Sequence, residues 1–417
     1  MKNYMKIFTC LFLLISVHIQ AEFRAGISVN IVTPNPLLPV SGGVGASQPV
    51  NQAKGDLTVR ALVLDDGKTR IAFVSTDFLG FPRVLGDKVR EQINSILPEN
   101  ILIGATHTHS APDCYGFPDE HGNTSADLGY LEFVCNQAAA AIKEAIKLLE
   151  PVSLKIATGD AHGKIAYNYY ADELYDPRCN IIQAITLSGK PMATLVNYAI
   201  HPEVLGPGQQ ILSPDLIGPL YDRIARNGGG TGIFMNGAQG GMVTADVRGP
   251  DGKDIQTWSE CRRIGNLLAD EALRIIKDAP EQIDPKIICA WKEISFPIDS
   301  DMIFAIINQS PLLSGHYKDR MIKTRINLIN IGNAQILTIP GEALPNIGYF
   351  LKRNMNGKHN FLFGLTNDAF GYILTNVDWN SFKKYNYITR TSLGEMTGEI
   401  FIKEALHLIK NSSVTKN

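Results

Sequence analysis

The sequence predicts an α/β fold in which mixed β-sheets with flanking helices form a single large domain. Short apolar runs typical of strands alternate along the chain with longer segments whose apolar residues have helical spacing. Hydrophobic residues make up 45% of the 417 residues, which is enough for a substantial core. No internal repeat, low-complexity linker or change in composition marks a domain boundary.

The charges of the chain nearly cancel. Its 39 Lys and Arg residues stand against 41 Asp and Glu residues, which gives a formal net charge of −2. A protein that binds nucleic acid usually needs a basic surface to neutralise phosphates. The charge balance therefore argues against a nucleic-acid partner.

The first 21 residues have the features of a secretory signal peptide. Lys2 and Lys6 come before an apolar run at 7–17, and the small residue Ala21 provides a cleavage site. The alternative is an uncleaved anchor, but the run is short for a membrane span. We expect a secreted or periplasmic protein with no transmembrane segment after cleavage. The predicted parts of the chain are the signal peptide at 1–21, the domain at 22–410 and a disordered tail at 411–417.

The apolar patterns of the first part of the domain predict its elements in order. Alternating runs at 58–64 and 70–75 flank the turn sequence Asp-Asp-Gly, which predicts a β-hairpin. A continuous apolar run at 101–105 predicts a buried strand. Helical spacing predicts two helices, at 84–96 and 128–149.

The rest of the domain continues this alternation of strands and helices. The predicted strands lie at 181–187, 193–198, 232–235, 287–296, 324–331 and 334–339. The predicted helices lie at 216–226, 258–277, 343–353 and 395–409.

Cysteine spacing gives little structural information. Five cysteines lie beyond the predicted signal peptide, and they are scattered and include no Cys-x-x-Cys pair. The sequence therefore indicates neither a disulfide framework nor a thiolate zinc site. One or two disulfide bridges remain compatible with it.

The first candidate functional residues follow the buried strand predicted at 101–105. The chain continues there as Thr106-His107-Thr108-His109. In an extended chain the side chains at i and i+2 lie on one face, so His107 and His109 can converge. Two imidazoles placed in this way suit a divalent metal, or one metal ligand and one hydrogen-bond donor to a substrate. The commoner role of an isolated His-x-His is that of two polar loop residues.

Three further strand ends carry candidate residues. His201 follows the strand predicted at 193–198, where it can face a ligand crevice or act as a structural histidine. Glu342 follows a Pro-Gly turn and starts a predicted helix, for which helix capping is the ordinary role. Tyr372 ends a polar loop at 367–372 and can present a phenol.

In their order along the chain, these segments resemble the neutral/alkaline non-lysosomal ceramidases in their amino-terminal catalytic domain. The most specific match is the string Thr106-His107-Thr108-His109-Ser110-Ala111-Pro112 after a strand. The resemblance runs from Gly26 to about Leu408. Its other matching segments are Gly26-Ile27-Ser28 with Thr33-Pro34, 73–77, 197–202, 236–246, 340–342 and Gly371-Tyr372.

This resemblance implies a single large catalytic domain that holds a Zn²⁺ ion. The zinc ligands of the family correspond here to His107, His201, Glu342 and Tyr372. Two imidazoles and a carboxylate suit zinc and leave a position for water or substrate. Tyr372 is the unusual ligand, and it could instead donate to the developing oxyanion. His109 corresponds to the family residue that supports the tetrahedral intermediate.

The nucleophilic serine of the family is replaced in this sequence. The family motif Gly-Asp-Val-Ser-Pro-Asn aligns with Gly241-Met242-Val243-Thr244-Ala245-Asp246, which puts Thr244 at the serine position and loses the Asp and the Pro. The Thr244 hydroxyl can attack, although its β-methyl group restricts χ1 and crowds the attack. Two mechanisms follow: covalent attack by Thr244, or direct attack by a metal-activated water that Thr244 positions.

The resemblance implies a zinc-dependent amidohydrolase that acts on a small N-acyl or lipid substrate, the family's own substrate being ceramide. The alternatives are a metal-dependent esterase or other acyl hydrolase, and a non-catalytic exported binding protein on the same scaffold. The family's Asn-Arg pair is Asn168-Tyr169 here, which leaves the substrate open. Apolar residues at 302–313 could line an acyl pocket, although core packing is their ordinary role. Asp77 could orient a ligand imidazole or make a structural hydrogen bond.

Overall fold

A computed structural model of the chain describes residues 22–412. The signal peptide predicted at 1–21 lies outside the described residues and stays a prediction. The last helix includes Asn411, the first residue of the predicted tail. Residues 413–417 lie outside the described part.

Strands and helices alternate along the chain, as the sequence predicts. The strands are β1 Arg24–Ile31, β2 Val40–Ser41, β3 Gln52–Ala53, β4 Thr58–Asp65, β5 Arg70–Thr76, β6 Ile101–Ala105, β7 Ala111–Pro112, β8 Glu150–Asp160, β9 Ala166–Asn168, β10 Arg178–Thr186, β11 Pro191–Tyr198, β12 Ile211–Leu212, β13 Thr231–Asn236, β14 Val243–Ala245, β15 Ile287–Pro297, β16 Met321–Ile331, β17 Ala334–Thr338, β18 Glu342–Ala343, β19 His359–Phe363 and β20 Tyr372–Ile373. The helices are α1 Arg83–Arg90, α2 Leu128–Lys147, α3 Ile217–Arg226, α4 Trp258–Ile276, α5 Asp301–Gln309, α6 Pro345–Asn354, α7 Asn386–Arg390 and α8 Thr397–Asn411.

Two sheets form the centre of the fold. The larger sheet has the strand order β13-β11-β10-β8-β1-β4-β5-β6, and the smaller one has the order β15-β16-β17-β19. Both are mixed, with parallel pairs such as β11–β13 and β5–β6 beside antiparallel pairs such as β4–β5. One apolar face of the larger sheet packs against the smaller sheet, and the rings of Phe73 and Phe363 meet edge to face there at 5.5 Å. The predicted fold class is confirmed, and the face-to-face packing of two sheets is an addition to it.

Helices cover the outer faces of both sheets. α2 packs on β1 and β4, α3 and α4 pack on the β13 side of the larger sheet, and α6 and α8 cover the smaller sheet. The alanine-rich middle of α2 allows close packing. At Gly26 a Cβ atom would lie 2.0 Å from the Ala145 carbonyl oxygen, so only glycine fits there. The Asp127 carboxylate starts α2 by accepting a hydrogen bond from the Tyr130 N–H at 2.9 Å.

Some predicted boundaries are wrong. The helix predicted at 84–96 runs from Arg83 to Arg90 and ends there in a turn, although Ile93 and Ile96 remain buried. The helix predicted from residue 343 begins at Pro345, an ordinary first position for proline. The elements that the prediction omitted include β8, β19 and α5. β8 mixes polar residues into its apolar alternation, and β19 starts with His-Asn, so neither has a strong strand pattern.

The described cysteines carry no disulfide. Cys114, Cys135, Cys179, Cys261 and Cys289 are free thiols. Burial raises the pKa of the Cys289 thiol to about 11 and that of Cys135 to about 12. Between residues 22 and 412, none of the helices combines the length and the apolar character that crossing a membrane requires.

Candidate metal centre

One asparagine side chain connects the two segments that carry His107 and His201. The Asn236 side-chain amide, at the end of β13, donates to the Thr106 carbonyl at 2.9 Å and to the Ile200 carbonyl at 2.8 Å. These carbonyls belong to the residues directly before His107 and His201. The larger sheet curves so that its edge strands β6 and β13 approach each other. Segments that are far apart in the sequence therefore meet at one site.

Backbone carbonyls orient both imidazoles. The Nδ1 atom of His107 lies 2.5 Å from the Leu79 carbonyl oxygen, and Nδ1 of His201 lies 2.9 Å from the Val243 carbonyl oxygen. A carbonyl accepts only, so each Nδ1 carries the proton and each neutral ring keeps its lone pair on Nε2. Both Nε2 atoms face the same oxygen, Oε2 of Glu342, at 3.4 Å and 3.2 Å.

This arrangement suits a cation. A carboxylate oxygen and an Nε2 lone pair are both acceptors, so their contact requires a proton on the imidazole or a cation among the three groups. All three side chains are buried. Burial alone would raise the pKa of Glu342, but the two imidazoles hold it well below its usual value. Burial would lower the pKa of His201, but the hydrogen bond with Glu342 and the charge of Glu203 raise it. Two imidazole nitrogens and one carboxylate oxygen are a donor set that fits zinc.

Glu342 lies in a strand and not at the start of a helix. It belongs to β18, which pairs in parallel with β20, and the register places it opposite Tyr372. Its carboxylate faces the Nε2 atoms of both imidazoles, so the helix-capping role does not apply. The strand pairing explains how the predicted carboxylate and phenol reach the same site.

Tyr372 lies beside the cluster, but its hydroxyl has another partner. The hydroxyl donates to the Met242 Sδ atom at 3.2 Å. Burial raises the pKa of Tyr372 well above its ordinary value, so the side chain is a neutral phenol. Tyr372 thus lies in the pocket wall opposite Glu342, and its role as a metal ligand stays a prediction.

His109 adds a third imidazole. Its ring centroid lies 4.8 Å from that of His107 and 5.8 Å from that of His201. The candidate ligand atoms of the three rings all lie within 4.8 Å of one another. The Nδ1 atom of His109 is 3.6 Å from Oε2 of Glu203, and its Nε2 atom is buried without a hydrogen-bond partner. Burial lowers the pKa of His109 to about 3, so this ring is neutral.

Thr244 also reaches the site. It lies in β14, and a β-bridge connects it to His201. Its hydroxyl lies close enough to the Glu203 carboxyl to lower the pKa of that group. Met242, two residues before Thr244, has a φ of 63°, a left-handed conformation that few residues other than glycine adopt.

Glu203 is the site residue that the sequence analysis missed. Burial alone would raise the pKa of its carboxyl, but His109, His201 and the Thr244 hydroxyl lower it. The only sequence signal was an acidic residue two positions after His201 at a strand end. The signal is too weak to identify Glu203 by itself, because its neighbours His109 and Thr244 come from distant segments of the chain.

Two other predicted residues have structural roles. The Asp77 carboxylate accepts hydrogen bonds from the Thr58 backbone N–H at 2.8 Å and from the Thr58 hydroxyl at 2.6 Å. The structural alternative therefore holds for Asp77, because the imidazoles are oriented by backbone carbonyls. The Asn168 amide donates to the Leu174 carbonyl at 2.9 Å and stabilises a loop in which Tyr169 is exposed.

An apolar pocket opens onto the cluster. Its volume is about 850 Å³ with the open mouth included, and its polar wall contains His107, His109, Glu342 and Tyr372. α5 and the loop after it supply much of the apolar wall. The main apolar wall residues are Ile303, Ile306, Ile307, Leu313, Ile322 and Leu393. The segment predicted as either core or pocket wall is thus partly buried and also lines this pocket.

Comparison with known proteins agrees with this picture. No protein-family model matches the chain. Neutral ceramidase B and neutral ceramidase A of Dictyostelium discoideum are 26% and 25% identical to it over 227 and 228 residues, which is 47% of this chain and 31% and 32% of theirs. The crystal structure of neutral ceramidase from Pseudomonas aeruginosa superimposes with a TM-score of 0.73 at 15% identity, over 94% of this chain and 75% of that one. The chain is thus similar to the neutral ceramidases in part of its sequence and in its fold.

The similarity to the neutral ceramidases extends over more of the chain in the fold than in the sequence. A solved ceramidase complexed with C2 also gives a TM-score of 0.73 at 15% identity, over 95% of this chain and 77% of that chain. At this identity the likeness concerns the architecture. The matched segment spans about a third of the curated neutral ceramidases, so their activity is a matter for proposal in this chain.

Proposed function

We propose that the chain is a zinc-dependent amidohydrolase that cleaves the amide bond of an N-acyl lipid of the ceramide type. The observation that carries this proposal is the junction of the pocket with the cluster. One wall of the apolar pocket carries imidazole and carboxylate groups that converge on each other. An acyl chain would fill the pocket and place its amide at the polar end. The names of the curated relatives support an amide bond as the target.

The cluster provides the residues for zinc binding. His107, His201 and Glu342 would hold the ion, with Tyr372 beside Glu342 as a fourth candidate. A bound zinc ion would polarise the scissile carbonyl and lower the pKa of water at the site. The two backbone carbonyls at Nδ1 hold the imidazoles in the tautomer that a cation requires.

The apolar wall would supply the binding energy for the acyl chain. Burial of each methylene group contributes about 0.8 kcal/mol, so a few methylene groups change affinity by an order of magnitude or more. α5 and its loop form a continuous apolar surface for this purpose. Substrates with a long acyl chain should therefore be preferred.

Thr244 is the nucleophile in this proposal. Its hydroxyl lies beside the Glu203 carboxyl, which would increase the electron density on the oxygen by accepting a hydrogen bond from it. Oγ1 would form a bond with the acyl carbon, the carbon–nitrogen bond would break, and the amine would leave with a proton. Water would then hydrolyse the acyl ester, releasing the fatty acid and restoring the Thr244 hydroxyl. Direct attack by water with Thr244 as a positioning group is the alternative that variants of this residue test.

The function is tested with three substrates that share one acyl chain. Purified protein with added zinc is incubated with an N-acyl sphingosine, an N-acyl amino acid and a simple ester, and fatty acid release is measured by mass spectrometry. We expect release from the N-acyl sphingosine, loss of release after chelation and recovery with zinc. Hydrolysis of the ester alone would favour the esterase. Lipid binding without release from any substrate would favour a binding protein.

A further inference from the structure

Glu203 lies between two candidate catalytic residues from different segments. It follows Pro202 in the loop after β11, and the His109 backbone N–H donates to the Pro202 carbonyl at 3.2 Å. This backbone hydrogen bond fixes the segment of Glu203 against the segment of His109. The backbone contact between the two segments therefore places the Glu203 carboxylate beside the His109 imidazole.

The two nitrogen atoms of His109 have different surroundings. Nδ1 lies 3.6 Å from the Glu203 carboxylate, and Nε2 has no partner although it is buried. A neutral imidazole has one N–H and one lone pair, and a neighbouring acceptor determines which nitrogen holds the proton. The carboxylate favours the proton on Nδ1, which leaves the lone pair on Nε2.

From this geometry we propose that Glu203 is a positioning residue of the site, which holds His109 as its Nδ1–H tautomer. The other two histidines show the same pattern. Leu79 and Val243 place a carbonyl oxygen at Nδ1 of His107 and His201. His109 has a carboxylate oxygen 3.6 Å from Nδ1, which would leave its lone pair on Nε2, as in the other two imidazoles.

This tautomer changes what His109 can do. With its lone pair on Nε2, the ring accepts a proton or binds a cation, but it does not donate a hydrogen bond to an oxyanion. The role implied by the family resemblance, support of the tetrahedral intermediate by donation, is therefore replaced in our proposal. The consequence for catalysis rests on the proposed hydrolytic function, whereas the tautomer does not depend on it.

The tautomer can be measured directly. The full chain is labelled with ¹⁵N-histidine and treated with chelator, and long-range ¹H–¹⁵N spectra then show which ring nitrogen carries the proton. The signals of His109 are assigned from their loss in His109→Gln. We expect a protonated Nδ1 and an unprotonated Nε2. In Glu203→Gln, whose amide can donate to Nδ1, the Nε2–H tautomer of His109 should become populated.

A matched variant controls for indirect effects. Glu120 lies 3.5 Å from His121 on the surface, so Glu120→Gln also removes a carboxylate beside a histidine. It should leave the His109 signals unchanged. The tautomer proposal is overturned if His109 is protonated on Nε2 in the wild type, or if Glu203→Gln leaves its protonation pattern unchanged.

Steady-state kinetics tests separately whether Glu203 contributes to catalysis. Glu203→Gln should lower kcat about 10- to 100-fold with little change in KM, the range typical of groups that orient a catalytic residue. A wild-type kcat in Glu203→Gln, with the His109 tautomer altered, would contradict the positioning role in catalysis. If the wild-type protein hydrolyses none of the substrates, the proposed function fails, and the spectra still decide the tautomer.

Discussion

The Nε2 atom of His201 lies 3.2 Å from Oε2 of Glu342, and Nε2 of His107 lies 3.4 Å from the same oxygen. Backbone carbonyls at both Nδ1 atoms leave the Nε2 lone pairs directed at a carboxylate. Three acceptor atoms that converge in a buried site are stable when a proton or a cation lies among them. The first prediction follows from this relationship.

His107→Ala and His201→Ala should each lose bound zinc. Removing one of three donor groups from a buried site takes away a bond that the remaining two cannot replace. The expected result is stoichiometric zinc in the wild type and a large loss in both variants, measured by elemental analysis after dialysis. His162→Ala is the matched control, because that imidazole is exposed and pairs with Glu271 away from the site. Equal zinc content in all four proteins would contradict the assignment.

Thr244→Ala should abolish hydrolysis while zinc stays bound. If Oγ1 is the attacking atom, its removal should lower kcat at least about a thousand-fold. Thr244→Ser should keep or increase activity, because it retains the hydroxyl and removes the crowding β-methyl group. Steady-state kinetics with zinc analysis of each variant checks this. Turnover in Thr244→Ala within about tenfold of wild type would show that water attacks directly.

Ile306→Trp should reduce the preference for long acyl chains. Ile306 is a partly buried residue of α5 that lines the pocket, so a larger side chain there fills space that the distal methylene groups would occupy. Loss of two methylene contacts corresponds to about a tenfold lower kcat/KM for the long-chain substrate, with short-chain substrates little affected. Ile283→Trp serves as the control, because Ile283 is 94% exposed. A uniform loss across chain lengths would indicate that the pocket does not bind the acyl chain.

Asp77 should make the stability of the protein depend on pH. Burial raises the pKa of its carboxyl from 3.8 to about 6, although the Thr58 hydrogen bonds oppose this rise. A raised pKa means that the folded state holds the proton more tightly than the unfolded chain. The stabilisation is complete below pH 3.8 and is lost as the pH rises to about 6, with a change on the order of 3 kcal/mol.

Asp77→Asn tests this dependence. Urea unfolding between pH 4 and pH 7 should show a smaller decrease in the free energy of unfolding for this variant than for the wild type. Part of the decrease should remain, because burial also raises the pKa of Asp215 and Asp368 to about 6. The exposed Asp278→Asn variant should retain the full decrease. An identical pH dependence in Asp77→Asn and wild type would refute the assignment.

Local patterns predicted much of the fold. The strand β6 matches its predicted bounds, and α2 and α4 each begin at the predicted residue, because their apolar spacing is strong and their first residues follow capping side chains. β19 was missed because its first two residues are polar. Its place is determined by pairing with β17, a contact that no local pattern contains.

The sequence predicted those candidate site residues that directly follow a predicted strand or turn. His107, His201, Glu342 and Tyr372 were predicted from family motifs, and the structure brings them to one site. The partner of Tyr372 was not predictable, since Met242 reaches its hydroxyl through an unusual backbone conformation. Glu203 was missed for a similar reason. Its role depends on His109 from a distant segment, and only the curvature of the larger sheet brings the two together.

The central claim is that one divalent cation lies among His107, His201 and Glu342. Anomalous diffraction at the zinc edge, from crystals of the zinc-loaded full chain, tests it most directly. We predict an anomalous peak within bonding distance of both Nε2 atoms and the Glu342 carboxylate. An anomalous peak elsewhere, or none at this cluster in crystals that contain zinc, would contradict the account.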